Sequence, residues 1–176
     1  MKKVVWENKS NGQLCVTIPK GSGIKAGDIV GIEKEKIRTI VYSFIVGDLF
    51  HYGHLRILEK ANEIGDYHIC GVLTDKAVLE YKDIPITSFE ERKAIISNLR
   101  CVDMTMAQTS KDPTENLKKI HEQFPKAKII LIHGDNWKKI IGEKFIKKIK
   151  GKTIKLPYYS RLSDNKIINE IKVRTI

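Results

Sequence analysis

The 176-residue sequence predicts an α/β fold, a parallel sheet between helices, preceded by a small all-β segment. Three observations carry this. From about Thr39 onward, short apolar runs alternate with amphipathic stretches of helical length, and repeated βα units of that size form a parallel sheet. Ile40 to Val46 is apolar almost throughout, broken only by Ser43, as suits a strand covered on both faces. Ahead of it the chain reads as short strands and turns, and the charged stretch Glu33 to Arg38 marks a joint, giving domains 1–37 and 38–176.

Taken in order, Val4 to Trp6, Leu14 to Ile18 and Asp28 to Ile32 are the N-terminal strand candidates, punctuated by Asn11-Gly12, Pro19 and Gly21 to Gly23. After Ile40 to Val46, the spacing of Leu55, Leu58 and Ile64 predicts a helix from His54 to Ile64, with Gly65 placed to end it. Tyr67 to Leu73 is the next strand. Ser88 and Glu91 form a capping box before Ala94, Ile95 and Leu99. Met104 to Ala107 is a short strand. Asp112-Pro113 reads as cap and first turn of a helix carrying Leu117, Ile120 and Phe124. Lys128 to Ile132 is a buried strand, Thr153 to Leu156 a short one, and a last helix starts at Ser163.

Composition narrows the function. No stretch approaches the roughly 20 apolar residues of a membrane span, and the basic Met1 to Gly12 has no apolar run behind it, which predicts a cytoplasmic protein with no membrane insertion. Cys15, Cys70 and Cys101 are odd in number and widely spaced, without a metal-ligand pattern, so reduced and mostly buried thiols are expected. The net charge of +11 suits anionic partners, although the lysines are spread along the chain. The densest cluster, Lys138 to Lys152, is interleaved with Ile140, Ile141, Phe145, Ile146 and Ile149 and predicts an amphipathic helix with a solvated basic face.

Chemistry is expected at the carboxyl ends of the parallel strands. There the first strand of the larger segment runs into Gly47-Asp48-Leu49-Phe50-His51-Tyr52-Gly53-His54. Two histidines three apart straddle a strand-to-helix turn that Gly53 lets close tightly. The helix start offers free N–H groups and a positive dipole end, and each imidazole adds an N–H donor for a phosphoryl oxygen.

With this HYGH signature the sequence resembles the cytidylyltransferases acting on glycerol-3-phosphate, phosphocholine and phosphoethanolamine, within the HxGH nucleotidyltransferase superfamily. The resemblance spans about residues 40 to 171. It includes Glu59 to Asp66, Leu73-Thr74-Asp75, Tyr81-Lys82 ahead of Glu90-Glu91-Arg92, Val102-Asp103, His133-Gly134-Asp135-Asn136-Trp137, and Leu156-Pro157 ahead of Ser163. It implies a Rossmann-like sheet and a nucleotidyltransferase that moves CMP from CTP to a small phosphorylated alcohol or phosphonate, releasing pyrophosphate, with Mg²⁺ or another divalent cation.

By this resemblance His51 and His54 bind the triphosphate and stabilise charge at the α-phosphate, and Lys82 contacts substrate and nucleotide phosphates. Val46, Gly47, Asp48 and Gly53 form the turn around the nucleotide. Arg92 supports phosphate binding or the charge balance of the site. Gly134, Asp135 and Trp137 lie by the nucleoside, and Ser163 presents its hydroxyl to the β- and γ-phosphates. Two departures stand out. Ile45-Val46-Gly47-Asp48 stands where the family's strand end reads glycine-threonine-phenylalanine-aspartate, so its small residue and hydroxyl are missing and Gly47 would take over part of their role. The closing signature R-T-E-G-I-S-T-T aligns with Tyr158 to Asn165, so that Tyr158 replaces its arginine while Asp164 and Asn165 replace its last hydroxyls. Arg161 is then the residue that would reach the phosphates, and Asp164 one that would hold the metal. An adenylyltransferase of the same superfamily, FAD-synthetase-like, is the alternative enzyme. Tyr52, Tyr81 and Tyr158 are open to two readings, an aromatic lining for a cationic head group or ordinary packing.

Gly12 to Lys20, with "T-I-P-K", and Gly23 to Val30, with "I-K-A-G-D-I-V", resemble the AbrB-like swapped-hairpin family. That resemblance implies a homodimer built by interleaving two chains. It also leaves DNA as a partner through Lys2, Lys3, Lys9, Lys20 and Lys25, and with it the reading of a DNA-binding regulator carrying a nucleotide-sensing domain.

Overall fold

The structure is a computed structural model that describes residues 6–8, 10–18, 21–26, 28–29, 37–135 and 140–174. It divides into two compact units, Met1–Glu35 and Lys36–Ile176.

In the first unit, β1 (Trp6–Asn8) pairs antiparallel with β2 (Gln13–Cys15). Gly12, at φ 68°, closes the turn by donating its N–H to the Asn8 carbonyl at 2.8 Å. The hairpin is shorter than expected: β2 ends at Cys15, and Asp28 and Ile29 are not in a strand. Pro19, Lys20, Gly27 and Val30, which carry part of the swapped-hairpin resemblance, lie outside the described residues, as do Lys2, Lys3 and Lys9. Leu14 is 71% exposed and Ile29 wholly so, as expected where the described residues give this unit a single two-stranded hairpin.

The second unit is a five-stranded parallel sheet in the order β5-β4-β3-β6-β7. In chain order its elements are β3 (Thr39–Ile45), α1 (Tyr52–Asn62), β4 (Tyr67–Leu73), α2 (Asp75–Leu79), α3 (Phe89–Ser97), β5 (Met104–Gln108), α4 (Thr114–Gln123), β6 (Lys128–Gly134), α5 (Glu143–Lys148), β7 (Lys152–Leu156) and α6 (Asp164–Arg174). The chain builds outward from β3 through β4 to β5, then returns to the other side of β3 with β6. The order therefore reverses between β3 and β6, and a crevice opens at their carboxyl ends. Alternation along β3 feeds two faces: Ile40 and Tyr42 pack with Ile69, Leu117, Leu131 and Ile146, while Val41 packs with Ala61, Ile130 and Ile132.

Several quoted motif residues are joints of this frame. The Asp66 carboxylate accepts the Arg38 and Thr39 N–H groups at 3.0 and 2.9 Å, fixing the start of β3. Asp103 accepts the His68 N–H at 2.8 Å. The Thr74 hydroxyl caps α2, a helix the pattern reading did not single out. Ser88 and Glu91 form the expected capping box of α3.

Other expectations shift. Helix α1 starts at Tyr52 with His51 as its cap and ends at Asn62. Gly65 is not in a left-handed conformation, so it does not end α1 as a helix-terminating glycine would; a β-carbon there would come within 2.6 Å of Val41 Cγ2, so its role is close packing. Pro113 caps α4, with Asp112 accepting the Thr114 N–H at 2.9 Å. Among the described residues the basic helix is Glu143–Lys148, bounded by Gly142 and Lys150 at positive φ; Lys138 and Lys139 lie outside the described residues. Cys70 and Cys101 are buried and Cys15 is half-buried; all three are free thiols. Among the described residues, no helix is long and apolar enough to cross a membrane.

Candidate active site

The turn after β3 is built around two left-handed residues, Gly47 at φ 75° and Leu49 at φ 42°. A β-carbon on Gly47 would stand 2.9 Å from Ile96 Cδ1, and any L side chain there would be strained, so this glycine takes up the sharp turn that the family's strand end makes with other residues. Val46 packs beside Leu73, Ala77 and Val78. Asp48 is buried, and both its oxygens are held within the protein: Oδ2 accepts the Ile86 N–H at 2.9 Å, and Oδ1 accepts the Thr87 N–H and hydroxyl at 3.0 and 2.7 Å. Burial pushes this carboxyl up, but the bonds from Thr87 and Ile86 more than offset it and hold it below the usual range. Asp48 thus anchors the loop before α3 to the strand end.

His51 caps α1 with its own ring: Nδ1 accepts the Gly53 N–H at 3.0 Å. His54 Nδ1 accepts the His51 N–H in return, at 3.4 Å. The rings stack with centroids 4.1 Å apart, and Phe50 covers the far face of His54 at 5.6 Å. A β-carbon on Gly53 would lie 2.8 Å from His51 Cε1, so only glycine leaves room for this ring. Because each Nδ1 is an acceptor, the neutral rings carry their protons on Nε2, and the two Nε2–H groups project side by side from the helix start.

Burial, then the neighbouring His51 and Lys82, lower the pKa of His54 to about 3, with Asp48 opposing. His54 is therefore a neutral donor near pH 7. The unfolded chain takes up a proton at this residue near pH 6.5, which the native site resists down to about pH 3. Its contribution to stability is complete above pH 6.5 and lost as pH falls toward 3. Burial lowers His68 and His133 in the same direction. A melting-temperature series over this pH range is expected to fall with acidity, with a shallower slope for His54→Asn; an equal slope would show that His54 titrates normally.

Facing the pair is the first residue of α6. Asp164 Oδ1 lies 3.4 Å from His51 Nε2 and 4.0 Å from His54 Nε2, and Oδ2 lies 3.8 Å from Lys82 Nζ. Oδ1 is buried and accepts no hydrogen bond. Burial raises this carboxyl and Asp48 pushes the same way, while Lys82 and His51 pull it back. Tyr159 brings the segment here: its ring meets Tyr52 edge-on at 5.2 Å, and Arg56 lies 5.8 Å from its centroid. Ser163 caps α6, its Oγ accepting the Lys166 N–H at 3.3 Å, which leaves its O–H available to donate. Asp135 Oδ1 accepts the Tyr158 N–H at 2.9 Å and ties the end of β6 at Gly134 to the segment after β7.

Not every expected residue joins the site. Arg92 is 1% exposed, and its guanidinium donates to the carbonyls of Thr87, Val46 and Leu73 and to Asp75. It fastens α3 to the ends of β3 and β4. Arg161 is exposed in a groove along α6 beside Leu162 and Lys166, and no hydrogen bond or ion pair among the described residues joins it to the histidines. The Tyr52 ring meets Tyr159 edge-on, and Tyr81 lies under the Lys111 ammonium at 4.5 Å. Trp137 lies outside the described residues.

His51, His54 and Asp164 cluster as metal ligands do, their ligand atoms within 4.8 Å of one another. The donor set argues otherwise. Metal at Nε2 requires the proton on Nδ1, where each ring meets a backbone N–H. Mg²⁺ takes oxygen ligands, and Asp164 alone, beside an ammonium and two N–H donors, does not make a cage for it.

A parallel sheet whose strand order reverses beside a histidine-capped helix start belongs to the class of doubly wound α/β proteins. Within it, the chain belongs to the cytidylyltransferase-like family, whose family model matches residues 47–170. It is 30% identical over 125 residues to the glycerol-3-phosphate cytidylyltransferase of Bacillus subtilis, covering 70% of this chain and 90% of that one. It is 28% identical over 120 residues to an ethanolamine-phosphate cytidylyltransferase of Arabidopsis thaliana, covering 68% and 28%. Against the bifunctional protein HldE of Campylobacter fetus it is 27% identical over 139 residues, but the match spans only 28% of that protein's length. A lipopolysaccharide core biosynthesis protein of Thermoplasma volcanium has the same fold, with TM-score 0.57, 25% identity and coverage of 69% of this chain and 98% of that one.

Proposed function

We propose that the chain transfers CMP from CTP to a small phosphorylated alcohol or phosphonate and releases pyrophosphate. The observation that carries this reading is the pair of Nε2–H donors projecting from the start of α1 into the crevice between β3 and β6. The family and the two relatives named for cytidylyl transfer to glycerol-3-phosphate and ethanolamine phosphate support the nucleotide and the acceptor class.

In this reading an ionised phosphate oxygen of the acceptor attacks the α-phosphorus of CTP. The new P–O bond forms as the bond to the bridging oxygen breaks, and that electron pair leaves with pyrophosphate. The attacking oxygen carries no proton at neutral pH, so no general base is needed. The protein's task is to bring two anions together and to meet charge developing toward the leaving group. His51 and His54 supply donors that need no protonation, Lys82 supplies a cation, and Ser163 an O–H at the start of α6. A divalent cation such as Mg²⁺ would be held mainly by the nucleotide phosphates and would neutralise part of their charge. Asp135, with Oδ1 already on the Tyr158 N–H, has Oδ2 to offer the nucleoside.

The test is pyrophosphate release with Mg²⁺, crossing CTP, ATP, GTP and UTP with glycerol-3-phosphate, phosphocholine, phosphoethanolamine and a phosphonate. CTP-dependent release with one acceptor is expected. Release with ATP alone would make the enzyme an adenylyltransferase, and silence with every pair would overturn transferase activity on these acceptors.

A further inference from the structure

The carboxylate of Asp164 stands where a substrate anion is needed. Its two oxygens face three groups suited to phosphate, at 3.4 Å from His51, 4.0 Å from His54 and 3.8 Å from Lys82. Each distance is longer than a charge-assisted hydrogen bond, and Oδ1 stays buried without an accepted bond. Such an oxygen is costly to keep desolvated, and the raised pKa of the carboxyl reports the same discomfort. The carboxylate fills the nest poorly, which makes it an easy anion to displace.

The element that carries it is lightly held. Helix α6 buries none of its side chains, and Ile171 and Val173 are 58% and 73% exposed. Upstream the chain is pinned by Tyr158 N–H to Asp135 and by Tyr159 on Tyr52. Between Tyr159 and Asp164 lies a short segment whose bonds are local, the Lys166 ammonium on the Ser160 carbonyl at 2.7 Å and the Ser163 cap. A change over these few residues moves Asp164 without disturbing the sheet or the histidines.

We infer that Asp164 is a built-in occupant of the polyphosphate subsite, a carboxylate lying against His51, His54 and Lys82 that the nucleotide phosphates must displace. This rests on the reading of the histidine turn as a polyphosphate site. It makes Asp164 a residue that sets nucleotide affinity, weakening binding by competition.

The test is calorimetric titration of inorganic pyrophosphate into the full chain, in EDTA and again with Mg²⁺, for the wild type, Asp164→Asn, His54→Ala and Glu170→Gln. Glu170 lies on the same helix, is exposed, and its replacement changes the net charge equally. Asp164→Asn is expected to tighten pyrophosphate binding about tenfold in EDTA, the size of one modest charge interaction removed at close range, with Glu170→Gln unchanged. An equal gain in Glu170→Gln would reduce the effect to net charge and overturn the inference. So would unchanged or weaker binding in Asp164→Asn while His54→Ala still abolishes it, an outcome that keeps the polyphosphate reading. A loss in Asp164→Asn seen only with Mg²⁺ would make Asp164 a cation ligand instead. If pyrophosphate binds no form of the protein, the polyphosphate reading itself fails, and the inference with it.

Discussion

Replacing His54 with alanine is expected to lower kcat on the order of 10²–10³-fold with the fold retained, because it removes a donor aimed at developing phosphoryl charge. The loss should exceed that of one hydrogen bond for a structural reason. His54 Nδ1 accepts the His51 N–H at 3.4 Å and its ring stacks on His51 at 4.1 Å, so its removal frees the neighbouring imidazole as well. His54→Asn keeps a side-chain N–H and is expected to recover part of the rate. The two variants separate donor chemistry from helix capping: His51 provides the cap to α1, so neither should change the melting temperature greatly at pH 8. The acid side of the kcat profile should also lack a titration of His54, which stays neutral down to about pH 3. Steady-state pyrophosphate release across pH checks both statements. A kcat for His54→Ala within threefold of wild type would remove this residue from the chemistry.

The sequence displayed the parts of this architecture that depend on neighbours in the chain. Tyr67–Leu73 matches its expected bounds because a turn on one side and the Thr74 cap on the other delimit an apolar run. The α3 capping box follows from Ser88 and Glu91 alone, and the histidine turn follows from a strand, a glycine and a helix start in sequence. What stayed hidden depends on distant partners. The basic run after Lys138 has helical spacing, yet Gly142 sits left-handed against Pro113 and Leu117, and only a short helix follows it. Only the alignment of the closing signature put Asp164 near the phosphates; that its carboxylate meets two histidines more than a hundred positions earlier shows in the fold, where Tyr159 also contacts Tyr52. Arg92 is the plainest case. A charged residue beside two glutamates on a helix reads as solvated surface, or as support for phosphate binding or the charge balance of the site, and in the structure it is buried with its bonds going to protein groups. The carbonyls that claim it come from β3, β4 and the loop before α3, which converge only in the folded sheet.

Arg92→Met is therefore expected to act on stability first and on catalysis second. Methionine fills a similar length without donors, leaving the Val46 and Leu73 carbonyls, bonded at 2.6 and 2.7 Å in the wild type, with no partner in a buried setting. Breaking a buried charged network by removing one member costs about 3–5 kcal/mol. In a chain of this size each kcal/mol lowers the melting temperature by roughly 2–4 °C, so a drop of about 10 °C is expected by circular dichroism. Arg92→Lys keeps the charge but offers one donor group in place of the planar fork, and should fall between the two. Pyrophosphate affinity, measured well below either melting point, discriminates the roles. A positioning residue loses stability and shifts affinity only modestly, because Val46 and the turn beyond it relax. A phosphate ligand would show the reverse, an unchanged melting temperature with binding lost, and that result would return Arg92 to the list of groups that touch the nucleotide.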